Sequence, residues 1–145
     1  VTIRIVETAP VLRWQSPAGD IAIDDGGRAI AVPADAATAA ALLRVADASG
    51  APPAIGAVIG LGTVAAAQAY APRFGDLTWR GPAEGFAVTT ADGWTVLLGA
   101  DAALAARQAA TLAAFQRGLD ADPSSIERVD LRFPSRPYYR LRSGL

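Results

Sequence analysis

The chain contains no cysteine, no histidine and no lysine, and each absence excludes a class of chemistry. Without cysteine there is no disulfide and no thiolate zinc site. Without histidine the chain lacks the commonest metal ligand and the usual general base near neutral pH, so Ser-His-Asp and Cys-His catalysis are excluded. All 13 basic residues are arginines, which excludes a Schiff-base lysine and the lysine of a phosphate-binding loop.

Long apolar runs and an excess of charge are also missing. No run of about 18 apolar residues could span a bilayer, and no signal peptide is visible. The net charge of -1 argues against a nucleic-acid binder, which needs concentrated positive charge. The 145 residues are 52% hydrophobic, which is enough for one domain with a core. Because the chain begins with valine in a strand-like stretch, we expect it to be a piece of a longer protein.

Alternating apolar residues and turn signals predict a protein rich in strands. Strands are expected over residues 1–10 and, before a Ser-Pro turn, in the stretch that follows. Asp24 and Asp25 begin an Asp-Asp-Gly-Gly hairpin turn, so we interpret them as turn-capping residues rather than a metal or acid-base pair. The Asp92-Gly93 pair between two β-rich runs predicts a hairpin with a type I′ turn.

Three alanine-rich segments predict helices. Residues 33–50 favour a helix capped by Asp35, although 41–47 fits a buried strand equally well. A second helix is expected from about Thr63 to Tyr70, and a third begins at Asp101 and ends at Gly118. The apolar side of the third helix comprises Leu104, Gln108, Leu112, Phe115 and Leu119. The final segment is expected to be extended and interrupted by Pro134 and Pro137.

A glycine-rich step at residues 57–71, "AVIGLGTVAAAQAYA", contains Gly60-x-Gly62-x-x-Ala65. This spacing is typical of the turn that binds the pyrophosphate of NAD(P) or FAD, so one alternative is a fragment of a dinucleotide-dependent oxidoreductase. However, two prolines crowd the strand that should precede the turn, and the following strand ends in Arg80 rather than in an acidic residue. A structural turn before a helix is therefore the favoured interpretation.

Two separated stretches carry a family resemblance. Towards the C-terminus the chain reads "DGWTVLLGADAALAARQAATLAAFQRGL" and then "IERVDLRFPSRPYYRLR", and near the N-terminus it reads "IRIVETAPVLRWQSPAGDIAIDDGGRAI". In this order they resemble the extracytoplasmic β domain of the bacterial cell-division family FtsQ, also called DivIB, together with the end of its POTRA domain. The matching positions are Glu7, Pro10, Trp14, Asp25, Gly27, Asp92, Gly93, Val96, Leu98, Gly99, Val129, Asp130, Leu131, Arg132 and Phe133. Thr8 departs from the usual arginine, and residues 33–71 match poorly.

The resemblance implies an α+β fold, with an antiparallel or mixed sheet that grows toward the C-terminus and helices packed on one face. It favours a strand at 41–47 and divides the chain into the end of a POTRA domain at 1–15 and a β domain at 16–145. It also implies a non-enzymatic subunit of the division septum without a cofactor. Such a subunit is anchored by a single span in the inner membrane, exposes this region on the periplasmic side, and binds FtsB and FtsL.

The C-terminal segment is the candidate partner-binding site. Prolines cannot donate to a β-ladder, so Pro134 and Pro137 indicate an edge strand, which is a template for strand addition by a partner. In FtsQ-like proteins the terminal strand and the turn before it contact FtsB. Arg136 departs from the small residue usual in the family, and Leu141 stands where some members have Trp. The candidate residues are Arg132, Phe133, Ser135, Arg136, Tyr138, Tyr139, Arg140 and Leu141.

Three alternatives to a catalytic or binding role also follow from the residues. The C-terminal arginines and tyrosines could instead solvate an edge and cover the sheet, as in a periplasmic structural domain of another role. Asp130 is expected to pair with an arginine or cap a turn, since no catalytic partner is in sight. Trp14, Trp79 and Trp94 are expected to be core or sheet-face aromatics.

Overall fold

A computed structural model describes residues 8–119 and 122–143 of the chain. These ranges contain nine strands and three α-helices, with short 3₁₀ turns at Ala102–Leu104 and Pro123–Ser125. The strands are β1 Pro10–Ser16, β2 Gly19–Asp24, β3 Ala29–Ile30, β4 Leu43–Asp47, β5 Leu77–Trp79, β6 Phe86–Thr89, β7 Thr95–Gly99, β8 Ile126–Asp130 and β9 Tyr138–Leu141. The helices are α1 Ala36–Ala41, α2 Leu61–Phe74 and α3 Ala105–Arg117.

The nine strands form one mixed sheet in the order β3-β2-β1-β4-β5-β6-β7-β8-β9. Strands β1, β4 and β5 run parallel to one another, as do β7 and β8, and the remaining neighbours are antiparallel. From β4 onward each new strand adds to the same side, so the sheet grows toward the C-terminus. The expected α+β class with a mixed sheet is confirmed.

Helices α2 and α3 cover one face of the sheet with an apolar core. Trp14 and Phe86 project from strands, and the ring of Phe86 lies 6.0 Å from that of Tyr70 in α2. On α3, Phe115 packs edge-on against Trp94 at 5.8 Å. Trp14 and Trp94 are each 1% exposed and Trp79 is partly buried, which confirms the expected placement of the tryptophans.

Two buried polar side chains fix the helices on the sheet. The Gln108 amide donates hydrogen bonds to the carbonyl oxygens of Leu98 (2.7 Å) and Leu131 (2.9 Å), which joins α3 to the ends of β7 and β8. The hydroxyl of Tyr70 donates to the Asp101 carbonyl at 2.9 Å, and burial raises the pKa of this tyrosine. Spacing predicts Gln108 on the apolar side of the helix, and its buried amide finds hydrogen-bond acceptors in these two carbonyl oxygens, of which that of Leu98 also accepts from the Tyr70 hydroxyl at 3.1 Å.

The hairpin at Asp92-Gly93 forms, but the predicted type I′ turn is wrong. Type I′ requires a positive φ at both central residues, whereas no non-glycine residue in the described ranges has one. Instead the Gly93 N–H bonds to the Thr90 carbonyl, and Gly93 alone is left-handed at φ 80°. The loop is therefore one residue longer than predicted, with the glycine at its end.

The Asp-Asp-Gly-Gly turn between β2 and β3 has the same construction and confirms the role of Asp24. Its carboxylate accepts a hydrogen bond from the Arg28 backbone N–H at 2.8 Å, and the side chain is buried. The Gly27 N–H closes the turn onto the Asp24 carbonyl, and Gly27 has φ 79°. Asp24 thus stabilises the turn backbone.

The helical predictions hold with changed boundaries. Residues 33–50 divide into α1 and β4, so the strand favoured for 41–47 is correct and the continuous helix is not. Asp35 caps α1 by accepting from the Thr38 N–H at 2.7 Å, as predicted. Helix α2 starts two residues before the predicted position and continues to Phe74, with Pro72 tolerated in its last turn.

The C-terminal segment is a hairpin rather than one interrupted extended run. Strands β8 and β9 pair antiparallel with each other, and Pro134 and Pro137 lie in the connection that leads into the edge strand β9, so they lie at the edge rather than in the sheet centre, as predicted, but outside the strand itself. The connection turns where the Arg136 N–H bonds to the Phe133 carbonyl at 2.8 Å. The strand expected near the N-terminus lies largely outside the described residues, as does Glu7. The predicted division at 15/16 falls within β1, and the domain boundary stays a prediction.

Candidate partner-binding edge

Strand β9 is the outermost strand at one side of the sheet. Among the described residues it pairs only with β8, through partners such as Val129–Tyr139 and Asp130–Tyr138. In the described ranges no strand lies on its other side. The predicted terminal edge therefore exists, and it is formed by Tyr138–Leu141.

The backbone of β9 alternates between its neighbour and open space. The Arg142 N–H donates to the Ser125 carbonyl at 2.8 Å, so it points toward β8. Since successive residues of a strand point their backbone groups to opposite sides, Tyr138 and Arg140 also face β8. The N–H and C=O groups of Tyr139 and Leu141 consequently face outward.

The side chains of β9 are exposed and largely apolar. Tyr138, Tyr139 and Leu141 are 62%, 49% and 50% exposed, respectively. The Tyr139 ring leans on Phe115 of α3, with ring centroids 5.4 Å apart, which places it on the helix-covered face. Tyrosine and apolar side chains beside an open backbone are typical of protein interfaces. The contribution of Phe115 was missed, although its spacing had placed it on the apolar side of the helix.

Arginines on the opposite face of β9 are paired within the chain. Arg140 forms a two-pronged ion pair with Glu127 of β8, and its hydrogen bond keeps the pKa of Glu127 below the ordinary glutamate value. Arg142 donates to the carbonyl oxygens of Ser124 and Gly93. Sequence reasoning did not find Glu127, because nothing in its local pattern shows that it faces Arg140.

Arg132 also donates its hydrogen bonds inward. Its guanidinium contacts both oxygens of Asp130, at 2.6 Å for the closest pair, and donates to the Ala83 carbonyl at 3.2 Å. Burial acts to raise the pKa of Asp130, but the hydrogen bonds and charge of Arg132 outweigh it and hold the pKa below the ordinary aspartate value. The expected ion pair of Asp130 is confirmed, and Arg132 ties the end of β8 to the turn before β6.

The other candidate residues lie in the connection between β8 and β9. Phe133 is 71% exposed, and Ser135 and Arg136 are also exposed. The structure thus places all eight candidates in the second half of the β8–β9 hairpin, which comprises the connection 131–137 and strand β9, at the edge of the described sheet. Whether they contact a partner stays a prediction.

The opposite edge of the sheet is covered by a segment of the same chain. Residues 56–59 run beside β3, where the Ala29 N–H donates to the Ala57 carbonyl and the Ile59 N–H donates to the Gly27 carbonyl. This segment leads into the glycine-rich step, and Gly60, with φ 88°, is the N-cap residue directly before α2. Directly before Gly60, Val58 makes only an isolated antiparallel bridge with Arg28, and no strand lies between β4 and α2 in the described chain. The strand that a dinucleotide-binding turn requires immediately before its glycines is not found there.

The described ranges contain neither a cluster of metal-ligating side chains nor a helix that could span a membrane. No group of three carboxylate side chains comes close enough together there to hold a metal ion. None of the described helices is both long and apolar enough to cross a bilayer.

Comparison of the sequence with models of known protein families and with curated proteins finds no match.

Proposed function

We propose that this protein is a binding module that accepts a strand from a partner protein at β9. The observation that carries the proposal is that the backbone N–H and C=O groups of Tyr139 and Leu141 face outward among exposed apolar side chains. A strand that pairs there gains backbone hydrogen bonds and buries apolar surface at the same time. No catalytic step is needed for this function.

The geometry restricts the partner strand to a short segment. Pro137 has no N–H, so the outward ladder contains donors at Tyr139 and Leu141 and ends near the connection. On the helix-covered face the partner side chains would meet Tyr139, Leu141 and Phe115, which favours apolar residues at alternate positions.

The resemblance to FtsQ supports a proposal for which protein is the partner. It points to the extracytoplasmic segments of FtsB-like and FtsL-like division proteins. We therefore propose a non-enzymatic scaffold of the division septum, with this region on the periplasmic side of the inner membrane and an anchor provided by a segment outside this chain. The residues proposed to contact the partner include the connection, where Phe133, Ser135 and Arg136 are exposed.

Replacement of Leu141 by proline tests the backbone contribution. Leu141→Pro removes an outward N–H without removing a bond to β8, and prolines are tolerated at such edge positions. We expect its affinity for an FtsB-like extracytoplasmic segment to fall at least about tenfold, as for the loss of a well-made interface hydrogen bond and its neighbours. Isothermal titration calorimetry measures the change.

Leu141→Ala is the matched control, since it removes the side chain and keeps the N–H. We expect it to weaken binding less than the proline variant does. Equal affinity of Leu141→Pro and the unmodified chain would contradict strand addition at this position.

A further inference from the structure

A groove of about 550 Å³ opens at the end of the sheet where the parallel strands β1, β4 and β5 finish. Its lining comes from Trp14, from the segment that follows β4, and from the turn that follows β5. Helix α2 connects β4 to β5, so these elements form a β-α-β unit. In sheets with parallel strands, the carboxyl ends are the usual place for a bound ligand. The volume lies in the range of small-molecule sites.

The walls of the groove are mostly apolar and partly aromatic. The indole of Trp79 is half-buried and meets that of Trp14 edge-on at 5.8 Å. Val58, which is 60% exposed, and Pro53 also line the groove. These groups offer a flat apolar surface to an aromatic or aliphatic body.

Among the described residues one charged side chain, Arg80, lines the groove, and it is ion-paired with Glu84, which lies outside the lining. No acidic side chain of the described ranges lines the groove. The Arg80 Nε donates to Glu84, which leaves the two terminal nitrogens without a hydrogen bond in the described part of the chain. A guanidinium in this state can donate two hydrogen bonds to a carboxylate or sulfonate.

We propose that this groove binds a small organic anion, with its apolar body against Trp79 and Val58 and its acidic group on Arg80. The site is separate from β9, which lies at the far side of the sheet, and the proposal does not depend on the function proposed for β9.

An NMR titration with 8-anilinonaphthalene-1-sulfonate tests the location. In a ¹⁵N-labelled chain each of the three tryptophans gives one indole N–H signal. As the sulfonate is added, we expect the chemical shift of the Trp79 signal to change and then saturate, as for binding at a single site. The signal of Trp94, whose indole N–H donates to the Pro123 carbonyl elsewhere in the core, should stay unchanged. Equal shifts of both signals, or shifts that do not saturate, would overturn the proposal by showing nonspecific binding to apolar surface.

Two variants test the chemistry of recognition. Arg80→Gln should weaken binding of the sulfonate about tenfold and leave binding of N-phenyl-1-naphthylamine, the same body without the acid, unchanged. Val58→Glu should weaken the sulfonate more than Val58→Gln does, because only the glutamate repels an anion. Equal affinities of Arg80→Gln and the unmodified chain for the sulfonate would refute the proposal that Arg80 binds the acidic group.

Discussion

The arginines near β9 show that residue type alone does not tell whether a side chain is free to bind a partner. Arg132, Arg140 and Arg142 all lie near the proposed interface, and all three donate hydrogen bonds within their own chain. An acidic partner would have to compete with Asp130 and Glu127 for two of them. The apolar side chains and the outward backbone are therefore the stronger basis for recognition.

Asp130 is the clearest residue-scale test of these pairs. Replacing it with asparagine removes the charge that receives the Arg132 guanidinium, and we expect the free energy of unfolding at pH 7 to fall by about 1–2 kcal/mol. Because the folded-state pKa of Asp130 is lowered, its contribution is complete above the unfolded pKa of about 3.9 and is lost as pH falls through the lower folded value. Urea denaturation at several pH values measures this.

The difference in stability between Asp130→Asn and the unmodified chain should therefore close at acid pH. A difference that stays constant down to pH 2 would show that packing rather than charge explains the effect. Arg136→Gln, at an exposed position in the connection, is the control and should change stability little at any pH.

At the scale of elements, local signals located the turns and caps well. Asp24, Asp35 and Asp130 were assigned correctly because each interacts with backbone or side chains within four residues. The turn type at Asp92 was predicted wrongly, because an Asp-Gly pair is compatible with two loop lengths. The register of the two strands selects between them. The division of 33–50 into α1 and β4 also depends on tertiary pairing, because Val45 is buried between β1 and β5.

Substitution by alanine should have opposite effects on stability at two glycines. Gly62 lies in α2 with helical backbone and open space around its Cβ position, so Gly62→Ala should raise stability by about 0.5 kcal/mol. A Cβ on Gly85 would lie 2.3 Å from the Gly99 carbonyl carbon, at φ 73°, so Gly85→Ala should lower stability by at least about 2 kcal/mol. Thermal unfolding measures both.

The Gly62 result also bears on the dinucleotide alternative. In that role the second glycine allows the backbone to approach a pyrophosphate, so alanine there should abolish stabilisation by NAD(P) or FAD. We expect no such stabilisation for either the unmodified chain or Gly62→Ala. A rise in melting temperature with cofactor concentration that Gly62→Ala removes would favour the oxidoreductase alternative.

For the whole molecule, the two sides of the sheet differ. Residues 56–59 cover β3 at one side, while β9 ends the described sheet at the other. The open side could be expected from the sequence, because proline, tyrosine and arginine residues mark the last segment. The pairing of β8 with β9 and the covering of β3 could not, because both depend on contacts between segments distant in sequence.

The most direct test of strand addition is residue-resolved amide hydrogen exchange, measured for the chain alone and with an FtsB-like extracytoplasmic segment bound. In the free chain, the amides of Arg140 and Arg142 should be protected by β8, and those of Tyr139 and Leu141 should exchange rapidly. Binding should protect Tyr139 and Leu141. Rapid exchange at both positions in the saturated complex, or protection already present in the free chain, would contradict completion of the edge by a partner.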